Sequence, residues 1–213
     1  MAYADIGDIA SGAVISETYL DQIRANFLAG VPDIFTAAGD IAYATAADAA
    51  ARLALGAADS IYVCGATAPE TQIVPAVRVY NDAAIDPAVA NWVTLTFNSE
   101  RFDTDGMHST VTNTGRLTVP TNGDGLYMIG GNIKIGVGSG DKGLRILLNG
   151  ATAIAESYGN KTSDSGDSIA ITTLYSLAAT DYVELQVYVE SDLNVTVSAN
   201  VSPEFWAIWQ RRP

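Results

Sequence analysis

The sequence predicts an all-β protein, an antiparallel sandwich or jelly roll over its C-terminal two-thirds. Three observations carry this. From about Val77 onward apolar residues recur at every second position, the period of a half-buried strand. Eight or more such runs are separated by turn residues, the spacing of a sandwich or jelly roll. Between two of the runs stands Asn149-Gly150, the strongest short hairpin signal in the chain.

The N-terminal part reads differently. Residues 1–75 are alanine-rich, short of aromatics and broken by Gly and Pro. Ser16 as N-cap, Glu17 in the first turn and Gly30 with Pro32 as the stop predict a short helix. Tyr19, Leu20, Ile23 and Phe27 fall on one face of it. Thr45 with Asp48 resembles a capping box and predicts a second helix over residues 46–55, closed by Gly56. Ile41-Ala42-Tyr43, between the two, reads as a short extended piece. Two short helices bury little area, and at about 25 cal/mol per Å² they offset their ordering entropy poorly. Residues 1–75 are therefore expected to form an extended, partly helical arm that orders against another surface, anchored through Tyr19, Leu20, Ile23 and Phe27.

Residues 76–213 are expected to form the β domain. Trp92, Thr94 and Thr96 alternate with Val93, Leu95 and Phe97. Tyr127, Ile129, Ile133, Ile135 and Val137 share one parity, opposed by Leu126, Met128, Asn132 and Lys134. Leu144, Ile146 and Leu148 lead into the Asn149-Gly150 turn, and residues 152–158 return. Ile169, Ile171, Thr173, Tyr175 and Leu177 make another set. Val183, Leu185, Val187 and Val189 oppose Tyr182, Glu184, Gln186 and Tyr188, a half-buried strand. Residues 193–197 and 205–210 close the chain. In the last strand Phe205, Ala207 and Trp209 lie on one face, Trp206 and Ile208 on the other. Both faces are apolar, so one is expected on the domain core and the other on an identical subunit or, alternatively, under a neighbouring loop. Phe205, Trp206, Ile208 and Trp209 are accordingly the candidate subunit-interface residues.

Residues 91–212 resemble the globular head of complement-type and tumour-necrosis-factor-like proteins. The resemblance runs through Asn113-Thr-Gly-Arg-Leu-Thr-Val-Pro120, Gly125-Leu-Tyr-Met-Ile129, the strand ending in Asn149-Gly150, Asp181-Tyr-Val-Glu-Leu185 and the terminal Phe205-Trp206. Leu117 and Met128 depart from it, standing where that family often has Phe. The resemblance implies a ten-stranded jelly roll that forms a homotrimer and offers a binding surface. Residues 16–70 resemble a second kind of segment, common in bacteriophage tail-fibre and other virion surface proteins. It is carried by Tyr19-Leu-Asp-Gln-Ile23, Gly39-Asp-Ile-Ala-Tyr-Ala44, Ala50-Ala-Arg-Leu53 and Gly65-Ala-Thr-Ala-Pro69. Together they imply a virion structural protein assembled in the host cytoplasm. It would be either a capsid decoration or head fibre, or a short adhesin meeting a host surface glycan. Its other partners would be capsid or tail proteins bound through residues 1–75.

Composition narrows the chemistry. Lys and Arg number 11 against 24 Asp and Glu, a net charge of −13 that repels phosphate backbones and argues against nucleic acid. No apolar run approaches the roughly 20 residues of a membrane span, and no charged, apolar leader opens the chain, so a soluble protein without membrane insertion is expected. The one cysteine, Cys64, reads as a small buried side chain. The one histidine, His108, has no nucleophile motif around it and reads as a surface or partly buried residue of a strand or loop. Asp103-Thr-Asp105-Gly106 resembles the opening of a calcium loop without its remainder, so Asp103 and Asp105 are candidate calcium ligands and, alternatively, turn residues. Asn122-Gly-Asp124-Gly and Ser163–Asp167 are similar. A non-enzymatic role is expected. The rivals are a secreted carbohydrate-binding module and a carbohydrate-active enzyme, though no acid/base constellation or aromatic-lined cleft is visible.

Overall fold

The computed structural model describes residues 17, 18, 20, 21, 23, 38–46, 49–57, 60–64, 68–161 and 167–211. The chain divides into two units, Met1–Gln72 and Ile73–Pro213.

In the first unit residues 17, 18, 20, 21 and 23 are helical, within the first predicted helix. Ser16, Tyr19, Phe27 and Gly30 lie outside the described residues. The second predicted helix is replaced by a hairpin: Ile41–Ala46 (β1) pairs antiparallel with Ala49–Leu53 (β2). The capping signal at Thr45 is local, whereas the large side chains nearby repeat at period two. Ile41 lies opposite Leu53 and Tyr43 opposite Ala51, so one face collects the apolar groups. Pairing to β1 supplies hydrogen bonds and contacts that an alanine-rich helix of two or three turns lacks. Ser60–Cys64 (β3) pairs with Pro69–Ile73 (β4) in a second two-stranded sheet. Cys64 is exposed rather than buried. A two-stranded sheet has only its own two faces, and Cys64 ends the strand.

The second unit contains β5 (Ala76–Tyr80), β6 (Trp92–Thr94), β7 (Ser99–Asp103), β8 (Arg116–Thr118), β9 (Gly125–Ile135), β10 (Gly140–Leu148), β11 (Thr152–Lys161), β12 (Asp167–Leu177), β13 (Tyr182–Val189), β14 (Val195–Thr196) and β15 (Glu204–Arg211). A first sheet runs β11-β10-β13-β6, with β8 also on β13; a second runs β12-β9-β15-β5-β7, with β14 on β9. All the pairings whose register is defined are antiparallel. This is a jelly roll of a five- and a six-stranded sheet, where the resemblance implies ten strands in all. The difference lies in short pieces: β6 and β8 have three residues and β14 has two.

The core sits between the sheets and follows the expected parities. Tyr127, Ile129, Ile133 and Ile135 of β9 are fully buried, as are Leu185, Val187 and Val189 of β13. Phe97 and Phe205 stack at 5.8 Å between ring centroids, joining the loop after β6 to β15. Val137 leaves the expected pattern and is exposed, because β9 ends at Ile135. At Asn149 and Gly150 φ is 50° and 69°, the left-handed pair of a type I′ turn, and Ala151 N–H donates to the Leu148 carbonyl at 3.0 Å. Lys142 shares the inward parity of Leu144 and Ile146 and is fully buried; its Nζ donates to the Gly138 carbonyl at 3.1 Å.

Candidate functional site: the outward face of the second sheet

Residues on β15 alternate between the core and the outward face of the second sheet. Phe205, Ala207 and Trp209 are buried inward. Trp209 Nε1–H donates to the Asp124 carbonyl at 3.2 Å, and its N–H donates to the Pro75 carbonyl at 2.9 Å. Phe205 and Trp209 are thus core residues of one protomer and cannot present themselves to a second; the interface expectation is corrected at these two positions. Their parity with Ala207 signals this. Trp206 and Ile208 point the other way and are half-buried.

Register places their neighbours. Leu174, Met128, Ile208 and Ala76 form one row across β12, β9, β15 and β5. In the next row stand Thr172, Gly130, Trp206, Arg78 and Phe102. Gly130 is the reason the row is low: a Cβ there would overlap the Trp206 ring, so the indole lies against bare backbone. Leu174 is 59% exposed and Phe102 43%, so within this unit and among the described residues the rows form a largely apolar, solvent-facing surface, interrupted by Thr172 and Arg78.

A charge cluster borders it. Glu204 stands two residues before Trp206 on the same face, and its side chain is only 1% exposed. Its Oε2 accepts from Arg78 Nε at 2.5 Å, and its Oε1 from Arg101 Nη2 at 2.8 Å and Nε at 3.2 Å. Arg78 Nη2 also donates to the Asn200 carbonyl at 3.2 Å, while Arg101 lies 4.0 Å over the Tyr80 ring. Two guanidinium groups on one carboxylate leave a net positive rim. Sequence reasoning missed the cluster, since Glu204 is more than 100 residues from either arginine; the one signal was an acid in the outward phase of an otherwise apolar strand.

The remaining candidates serve local structure. Asp103 Oδ1 accepts from the N–H groups of Asp105 (3.3 Å) and Met107 (3.0 Å), and Oδ2 from His108 N–H (2.8 Å), so this carboxylate braces the loop as an Asx turn does. Asp105 has its pKa raised, first by burial and then by the Asp103 charge. Among the described residues no group of three or more His, Cys, Asp or Glu side chains is placed to hold a metal ion. His108 lies in the loop, its side chain fully buried, with Nδ1 2.9 Å from Glu100 Oε1 and Nε2 3.2 Å from the Thr114 carbonyl. Leu20 and Ile23 of the proposed anchor are exposed, 53% and 42%. Ser163 to Gly166 lie outside the described residues.

Neither a protein-family profile nor a curated protein sequence matches the chain. Solved structures do match in fold. The globular domain of zebrafish complement 1qA is 15% identical, with a TM-score of 0.50, covering 65% of this chain and 99% of that one. Murine APRIL at pH 5.0 is 8% identical, with a TM-score of 0.51, covering 64% of this chain and 99% of that one. At such identities the likeness is one of fold: the second unit is a jelly roll of the complement and tumour-necrosis-factor type.

Proposed function

We propose, with that jelly roll as the premise, that the chain is a non-enzymatic structural protein of a bacteriophage surface, a homotrimer of heads held to the particle by residues 1–75. The observation that carries self-association is the uncovered apolar face around Trp206 and Ile208, bordered by the Glu204 cluster. An interface of this make-up, apolar in the middle with charges at the rim, is the common form for identical subunits. Three-fold stoichiometry and virion placement draw on the resemblances of residues 91–212 and 16–70. The non-enzymatic reading is supported by the polar groups themselves: His108 and Asp103 are engaged in holding one loop. Two placements follow from the same design, a capsid decoration and a short adhesin.

Light scattering on the full chain tests the assembly: a trimer mass is expected, and a stable monomer at micromolar concentration overturns it. Co-sedimentation with empty capsids, set against adsorption to whole host cells, separates the two placements. Binding to neither removes the virion reading.

A further inference from the structure

The outward face of the first sheet carries a different surface. Tyr158 of β11, Gly143 of β10, Tyr188 of β13 and Trp92 of β6 stand in one row. A Cβ at Gly143 would lie 2.8 Å from Trp92 Cη2 and 3.0 Å from a Tyr158 ring carbon, so two rings close over a position with no side chain. Ring centroids are 5.4 Å apart for Trp92 and Tyr158, 5.7 Å for Trp92 and Tyr188, and 5.9 Å for Tyr158 and Tyr188. None of the three belongs to the core; the neighbours Leu144, Val187 and Val189 do. Tyr158 is 54% exposed.

Fixed polar groups border the rings. Arg145 places its guanidinium carbon 4.3 Å above the Trp92 ring. Its Nε donates to Gln186 Oε1 at 2.8 Å, and Gln186 Nε2 donates to Thr94 Oγ1 at 2.9 Å, so the head group is held by a chain of hydrogen bonds. Glu156 is exposed and lies opposite Arg145 in register. Beside Tyr158 a cleft of about 290 Å³ opens, with Ser157, Asp167 and Ser168 among its lining.

We infer that this platform and cleft bind a pyranose ring of a glycan. A sugar has an apolar C–H face and a rim of hydroxyls, each both donor and acceptor. The rings offer the first a stacking surface, and the Arg145 head group, the exposed Glu156 and, along the cleft, Asp167 and Ser168 offer the second polar partners. The cleft volume falls just under the roughly 300–1,000 Å³ of small-molecule sites, in keeping with a single sugar ring. Stacked nucleobases suit the rings less well, because one arginine in a chain of net charge −13 does not track a phosphate backbone. A second copy of the chain suits the Trp206 face better, where Leu174, Met128 and Ile208 share one apolar row and the charges are already paired at Glu204. The inference deepens the adhesin placement and rests on that reading only for where the glycan is met.

The test uses the full chain on an array of oligosaccharides built from glucose, galactose, N-acetylglucosamine, rhamnose and glucuronate, followed by tryptophan-fluorescence titration of the best binder. Binding is expected to fall at least about tenfold in Tyr158→Ala and in Trp92→Ala. Val111→Ala, at an 84% exposed loop position, is expected to bind as the parent does. Tyr158→Ala changes an exposed side chain of an edge strand and serves where Trp92→Ala fails to fold. A blank array, or Tyr158→Ala titrating unchanged, overturns the inference; so does a fall in assembled mass for Tyr158→Ala, which would assign the rings to a second copy. Mass measured on the same samples separates the two ideas: a trimer with a blank array loses the glycan site alone, and a monomer that binds sugar loses the trimer alone.

Discussion

The indole of Trp206 packs on the bare backbone of Gly130, its register partner on β9 beside it in the second sheet. Gly130→Ala puts a methyl group where the ring lies and must push the ring outward or the strands apart. A loss of about 1–3 kcal/mol is expected from such overpacking, together with weakened self-association. Urea unfolding and light scattering read the two effects; a variant with parental values in both would show the contact to be idle.

The two faces of β15 respond differently to substitution. Ile208→Glu places a charge in the uncovered apolar rows and is expected to yield a folded monomer by light scattering, with its β circular dichroism intact. Phe205→Ala, on the opposite parity, leaves a cavity beside Phe97 and is expected to cost about 3–5 kcal/mol whether or not subunits associate. Equal effects of the two changes on assembly would contradict the assignment of faces.

Glu204 is the single carboxylate between Arg78 and Arg101. Glu204→Gln leaves both guanidinium groups opposite a neutral amide. Breaking a buried pair of this kind costs about 3 kcal/mol, reduced here because both arginines are about one-third exposed. Arg78→Ala is expected to cost less, since Arg101 remains. Denaturant midpoints in low and high salt measure both; a Gln variant as stable as the parent would show the cluster to be dispensable.

Alkaline stability should run through Tyr127. Its phenol is buried, donates to the Gly123 carbonyl at 2.6 Å, and has its pKa raised by burial first and then by Asp105 and Asp124. A raised folded pKa stabilises fully below the ordinary value of 10.0 and loses that contribution as pH rises past it. Tyr127→Phe is expected to be about 1 kcal/mol less stable at neutral pH, from the lost hydrogen bond, yet to decline less steeply above pH 10. Parallel melting curves for the two proteins across that range would refute the assignment.

Lys142 shows how far pattern reading reaches. The alternation in 183–189, the Asn149-Gly150 turn and the split parity of 205–209 were all legible, because each is a local consequence of the two-residue strand period or of left-handed turn geometry. Long-range placement was not. Trp92, Tyr158 and Tyr188 come together from three strands, and their one advance signal was aromatic residues in the solvent phase. Residues 46–55 failed because a capping pattern was set against a partner strand that propensity does not include. Lys142 itself stands in an apolar phase, and among the described residues the only hydrogen-bond partner of its side-chain nitrogen is the Gly138 carbonyl. Lys142→Met removes a buried charge and is expected to raise the melting temperature. A lower one would reveal a second partner for the ammonium.

Gly130 has a neighbour with a matching constraint on the other side of the sheet. A Cβ at Gly131 would overlap Leu185 of the first sheet, as one at Gly130 would overlap Trp206. Across these two residues the strand carries no side chain on either face, and the core and the outer surface lean on the same short length of backbone. Substitutions at Leu185 and Trp206 therefore do not act independently, although one is internal and the other external. A change at this bare point of the second sheet must be matched on both sides at once.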